Sequence, residues 1–183
     1  MLCRFADPRI AESSGVAVAT RTPGLLFTFN DSGNKPRFYA VDRAGATVAT
    51  YDVTDAANVD WEDMAAAPAA DGTPTLWFAD IGDNDAGRPD IAVYAVPEPR
   101  VRPGAHRVPA VAYRLRYPDG PHNAETLLVD PRRHRLFVVT KTWVGGSRVY
   151  AAPARLDPAT VNPLAEVAVL HWSLTGTGGG PAG

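Results

Sequence analysis

Apolar and polar positions alternate in short runs along this chain, and glycine, proline and aspartate cut the runs every few residues. Short runs of period two predict strands, and the punctuation predicts tight turns between them. Four strands are predicted at 15–19, 25–29, 37–42 and 47–53, with turns at Arg21-Thr22-Pro23-Gly24 and Arg43-Ala44-Gly45. A second set falls at 64–67, 75–79, 91–96 and 108–116, the last alternating through Val111, Tyr113 and Leu115. A third falls at 126–130, 136–140, 148–153 and 166–172.

The three sets share more than their order. The third strand is nearly one phrase written three times: Phe38-Tyr39-Ala40-Val41-Asp42, Val93-Tyr94-Ala95-Val96-Pro97 and Val149-Tyr150-Ala151-Ala152-Pro153. Each set opens on a glutamate, and Glu12, Glu62 and Glu125 lie 50 and 63 residues apart. A four-stranded repeat of that period predicts an all-β chain and a β-propeller. A plain antiparallel sandwich is the alternative, and it leaves the repeated phrase unexplained. The expected layout is a partial propeller over residues 1–174, with blades near 12–58, 60–118 and 123–172, and a disordered Gly-rich tail over 175–183. Propellers close with about four to eight blades. About three blades would leave strand edges and apolar faces open, which favours self-association. Truncation of a longer gene product is the expected cause.

Composition narrows the partners. A net charge of −2 and a pI near 6.1 argue against a nucleic-acid or anionic-membrane surface. No run of 18 apolar residues is present, so no membrane span is expected. Cys3 is the only cysteine, which excludes an internal disulfide. No apolar leader opens the sequence, so as written the chain reads as cytoplasmic.

The candidate chemistry is acidic. In a propeller, residues at matching blade positions converge near one axis, and this would gather Glu12, Glu62 and Glu125, with Asn30, Asp80 and Thr140 in an outer ring. Crowded carboxylates repel, and a hard cation removes that cost. Ca²⁺ takes six to eight oxygens at ~2.3–2.6 Å, and Asp, Glu, Asn and Ser supply oxygens here, with no His or Cys cluster for zinc. Trp61 reads as a packing residue. Asp83-Asn84-Asp85-Ala86-Gly87 reads as a turn that lacks the closing glutamate of a calcium loop. No Gly-x-Ser-x-Gly elbow and no phosphate-cradling glycine loop is present.

One set of motifs, taken in order, carries a family resemblance: Glu12-Ser13-Ser14-Gly15, Asn30-Asp31-Ser32-Gly33, Asp60-Trp61-Glu62-Asp63, Asp80-Ile81-Gly82-Asp83-Asn84, Ala124-Glu125 and Thr140-Lys141. Over residues 3–172 the chain resembles a group of bacterial propeller proteins labelled phytase-like or esterase-like. The resemblance implies six blades, export from the cell, and calcium held by acidic residues at the channel mouth. It makes Glu12, Asn30, Asp31, Asp60, Glu62, Asp80, Asp83, Asn84 and Glu125 candidate metal or channel ligands. Lys141 becomes a candidate phosphate contact. Asn123 departs from the pattern, standing where an aspartate is expected.

The expected function is therefore a calcium-binding propeller that hydrolyses a small phosphate ester. Glu62 or Asp60 would orient the attacking water or act as its base, and Lys141 would stabilise the phosphoryl oxygens. A non-catalytic propeller that binds a ligand or protein is the alternative, because few cations accompany the acids. A truncated product without function is the third.

Overall fold

The structure, a computed structural model, describes residues 4–142 and 145–172. The expected tail at 175–183 lies outside the described residues. Among these residues the chain is all-β, with no helix and three sheets.

The first sheet is an antiparallel meander of β1 (Ser13–Val18), β2 (Leu26–Asn30), β3 (Arg37–Val41) and β4 (Thr47–Thr54). Turn chemistry sets its hairpins. Between β3 and β4, Asp42 accepts the N–H groups of Ala44 and Ala46, both at 2.9 Å, and Gly45 takes the φ of 88° that the turn requires. The second meander contains β5 (Trp61–Pro68), β6 (Pro74–Asp80) and β7 (Ile91–Pro97). After β8 (Gly104–Pro109), it is completed by β9 (Val111–Arg116). The third contains β10 (Ala124–Asp130), β11 (Arg135–Thr140) and β12 (Gly145–Ala151). After the short β13 (Val161–Pro163), it ends in β14 (Ala165–Trp172).

Period two decides which side chain meets which sheet. On β6, Leu76 and Phe78 join the core facing the first sheet, whereas Trp77 and Ala79 join the core facing the third. On β7, Tyr94 and Val96 face one way, and Val93 and Ala95 the other. The second sheet is thus covered on both faces, which is why its strands read as continuous apolar runs. Phe27, Phe29, Phe38, Trp61 and Phe78 are fully buried in the first core. Such side chains contribute roughly 2–3 kcal/mol each by burial, and edge-to-face pairs such as Phe29–Trp61, with centroids 5.5 Å apart, add to this.

The first strands of the three sheets lie side by side, with β5 between β1 and β10. Ser14 Oγ donates to the Glu62 carbonyl at 2.9 Å, and Asp63 Oδ2 accepts the Leu127 N–H at 2.8 Å. A Cβ on Gly15 would sit 2.9 Å from Met64 N, so glycine is what lets β1 approach β5.

The predicted single strand at 108–116 is two strands. Pro109 stands at the end of β8, a place in a sheet that proline can occupy. The segment before it, β8, pairs parallel with β4 of the first sheet, while β9 stays with β7. Likewise β13 crosses from the third unit to pair parallel with β9. The first two sheets therefore hold five strands each, and the limits at 58–60 and 118–123 are crossed by exchanged strands.

Candidate metal centre

Three hairpins open in the same way. Ser13 pairs with Asn30, Trp61 with Asp80, and Ala124 with Thr140, and in each the register slips immediately afterwards. The slip is a β-bulge, which re-aims side chains at strand ends. Glu62 and Glu125 occupy two of the bulges. In β1 the bulge holds Ser14 and Gly15. Glu12 is thus not in register with Glu62 and Glu125, contrary to the sequence expectation. It matches Asp60 and Asn123 instead, each one residue before the first pair. The Glu12, Asp60 and Asn123 carbonyls accept N–H groups from Asp31, Gly82 and Lys141, at 3.0, 3.1 and 2.9 Å.

At the mouth formed by the first two sheets, Asp31, Asp60 and Glu62 each offer a carboxylate oxygen, and these oxygens lie within 4.8 Å of one another. Asp31 follows β2, while Asp60 and Glu62 flank the first residue of β5. All three are half-buried. Burial first, and then the charges of Asp31, Glu125 and Asp60 against that of Lys141, raise the Glu62 carboxyl from 4.5 to about 7. Asp60 is also raised, by burial and by Asp31, although the Ser32 hydroxyl partly offsets this.

Gly82 is part of the site through what it lacks. A Cβ there would lie 2.2 Å from Asp60 Oδ2 and 2.5 Å from Glu62 Oε1. The two carboxylates occupy space that any other residue would fill. The donor set is all oxygen, which suits a hard cation, and three carboxylates leave coordination positions for water or ligand.

The remaining candidates divide by role. Glu125 joins the rim, where Lys141 Nζ donates to it, and this bond raises the Lys141 pKa. Glu12 is exposed, and its Oε2 accepts from Asn34 at 3.5 Å. Asp80 lies behind the triad, fully buried, 2.9 Å from Arg88 Nη1. It accepts the Val59 and Asp60 N–H groups at 3.3 and 3.0 Å, and so fixes the turn that carries Asp60. Asn30 is buried and ties the N-terminal segment down, accepting the Glu12 N–H at 3.3 Å and donating to the Arg9 carbonyl at 2.6 Å. Asp83 closes its own turn on the Gly87 and Arg88 N–H groups. Asn84 accepts from Asn123 Nδ2 at 2.9 Å. Trp61 packs as expected, fully buried, with its indole N–H on the Ala57 carbonyl at 2.7 Å.

Sequence reasoning assigned no role to Asn58, Gly82 or Arg88. Asn58 spans the two sheets, donating to the Asn30 and Asp31 carbonyls at 3.2 and 3.0 Å and accepting the Trp61 N–H at 3.1 Å. Its place beside the Asp60-Trp61-Glu62 motif was the available signal.

A scan against protein-family models gave no match, and a search of curated proteins found no significant relative. Among the described residues, no helix is long and apolar enough to cross a membrane.

Proposed function

We propose that this chain is a Ca²⁺-binding unit of propeller type, its three four-stranded units acting as blades, and that it acts on a phosphate ester at the mouth between its first strands. The observation that carries the reading is the meeting of Asp31, Asp60 and Glu62 oxygens from two sheets within 4.8 Å. The all-oxygen donor set, the open rim and the order of the acidic motifs also support it.

A bound Ca²⁺ would supply charge neutralisation for the carboxylates and for a phosphoryl group. Asp31, Asp60 and Glu62 would hold it, with Asp80 and Arg88 fixing the Asp60 turn from behind. Glu62 orients water toward phosphorus. Lys141, next to Glu125 on the rim, meets the phosphoryl oxygens by exchanging its carboxylate partner. The test is calorimetric titration with Ca²⁺ followed by turnover of an aryl phosphate with and without chelator. Binding and chelator-sensitive turnover, both lost in Glu62→Gln, are expected. Turnover untouched by chelator and by Glu62→Gln refutes the assignment.

A second reading is favoured by the origin of the ligands. Asp31 belongs to the first sheet and Asp60 and Glu62 to the second, so an ion there would also staple the two sheets together. Ca²⁺ binding without turnover selects this non-catalytic role.

A further inference from the structure

The fourth strand of each sheet is treated differently, and the difference points to a docking edge. In the first sheet, β4 is flanked by β8, and Ala49, Tyr51 and Val53 are 2%, 2% and 4% exposed. In the second, β9 is flanked by β13 along Arg114–Arg116, where Leu115 is fully buried, while Val111, outside that pairing, is 44% exposed. In the third, β14 ends the sheet among the described residues, and Val167, Val169 and Leu170 are 50%, 37% and 51% exposed.

The two internal caps obey one rule. Each is parallel to the strand it covers, and each ends in a proline opposite the last residue of that strand: Pro109 opposite Thr54, Pro163 opposite Arg116. The residue after the proline then donates its N–H to the carbonyl of that last residue, Ala110 to Thr54 at 3.0 Å and Leu164 to Arg116 at 2.8 Å. In this register the proline's own N faces away from the covered strand, so it blocks further pairing on the outer edge of the cap, and the chain leaves for the next sheet after the following residue. A small or apolar residue follows in both cases. The shared geometry amounts to a recognition rule for an extended segment: a short strand, proline, then an apolar residue with a free N–H.

We propose that the outer edge of β14 binds a third segment of this kind, an extended peptide ending in proline and an apolar residue, added parallel to β14. Main-chain hydrogen bonds would supply affinity, and the proline and its successor would set the register. Within this chain, the turn between β3 and β4 donates no such strand, since it is the tight Asp42–Ala46 turn. A second copy would therefore bring no third cap from the equivalent place in its first sheet.

The probe is a synthetic peptide of residues 104–111, Gly-Ala-His-Arg-Val-Pro-Ala-Val, added to the whole chain labelled for NMR. Saturable shifts confined to β14 and its neighbours are expected, with exchange of edge amides on β14 slowed about tenfold or more. N-methylation of the residue after the proline removes the anchoring donor without altering the protein, and it should abolish the effect. Three results would overturn the proposal: no change at β14 up to millimolar peptide, perturbation centred on β4 through displacement of β8, or binding indifferent to the N-methyl group.

Discussion

Two glutamates at opposite ends of the first two sheets show what a fold does with a buried carboxylate. Glu98, just after β7, is 1% exposed and surrounded by donors. It accepts the Thr20 and Arg21 N–H groups at 2.7 and 2.8 Å and the Thr20 hydroxyl, while the Arg21 guanidinium bonds the Glu98 carbonyl at 2.8 Å. It clamps the β1–β2 turn onto the second sheet. Glu62 is half-buried and surrounded by other carboxylates, which raise its pKa together with burial. The first charge is satisfied by the protein. The second faces the charges of Asp31, Glu125 and Asp60, which the charge of Lys141 opposes, and in the proposed reading a cation from outside would relieve it. The two carboxylates thus differ in their neighbours, with donors around Glu98 and acids around Glu62.

The largest expected effect comes from breaking the satisfied side. Glu98→Ala strands two backbone donors and should cost about 3 kcal/mol in denaturant unfolding, without changing Ca²⁺ affinity. On the other side, Gly82→Ala places a methyl against Asp60 and Glu62. It should weaken Ca²⁺ binding by about 10–100-fold in calorimetry while the fold persists.

Glu62→Gln should raise stability in the absence of metal. The group is half solvated, so screening holds the gain near 1 kcal/mol, or about 3 °C in melting temperature. The same variant should lose the gain from Ca²⁺. The pH dependence follows in sign. Glu62 titrates at about 7 in the folded chain against 4.5 ordinarily, so between these values the folded state binds more protons than the unfolded. Its contribution is complete below pH 4.5 and is lost as pH rises toward about 7. Metal-free melting temperature should fall across that window in the parent chain and less steeply in Glu62→Gln. The smallest effect is expected from Arg133→Ala, which removes an exposed ion pair to Asp130 and should shift stability by less than about 0.5 kcal/mol.

Much of the fold was legible because alternation and turn residues act locally. Trp77-Phe78-Ala79 lies on β6 and the phrase Val93–Pro97 on β7, while the other two phrases lie on β3 and β12 but run past their ends, at Asp42 and at Ala152-Pro153. The exchanged strands were hidden, since β8 and β13 owe their partners to tertiary crossing, and the three residues of β13 carry no periodicity. Pro109 was the overlooked mark. The site was legible in its residue types and misaligned in its register. A β-bulge inserts a residue without any compositional sign, so the glutamate that opens each set suggested that Glu12 matches Glu62 when Ser14 does. Asp80 and Asn30 were readable as buried polar groups at strand ends, but their work is to hold backbone, which spacing alone does not distinguish from ligation.

The most direct test is thermal unfolding of the whole chain at pH 8 with excess Ca²⁺, then with chelator. An ion held only by the folded Asp31, Asp60 and Glu62 must raise the melting temperature by mass action, by several degrees at a hundredfold excess over Kd, and Asp31→Asn must erase the rise. A cooperative transition that stays put when Ca²⁺ is added or withdrawn would contradict the metal centre and leave the three acids as an unfilled cluster.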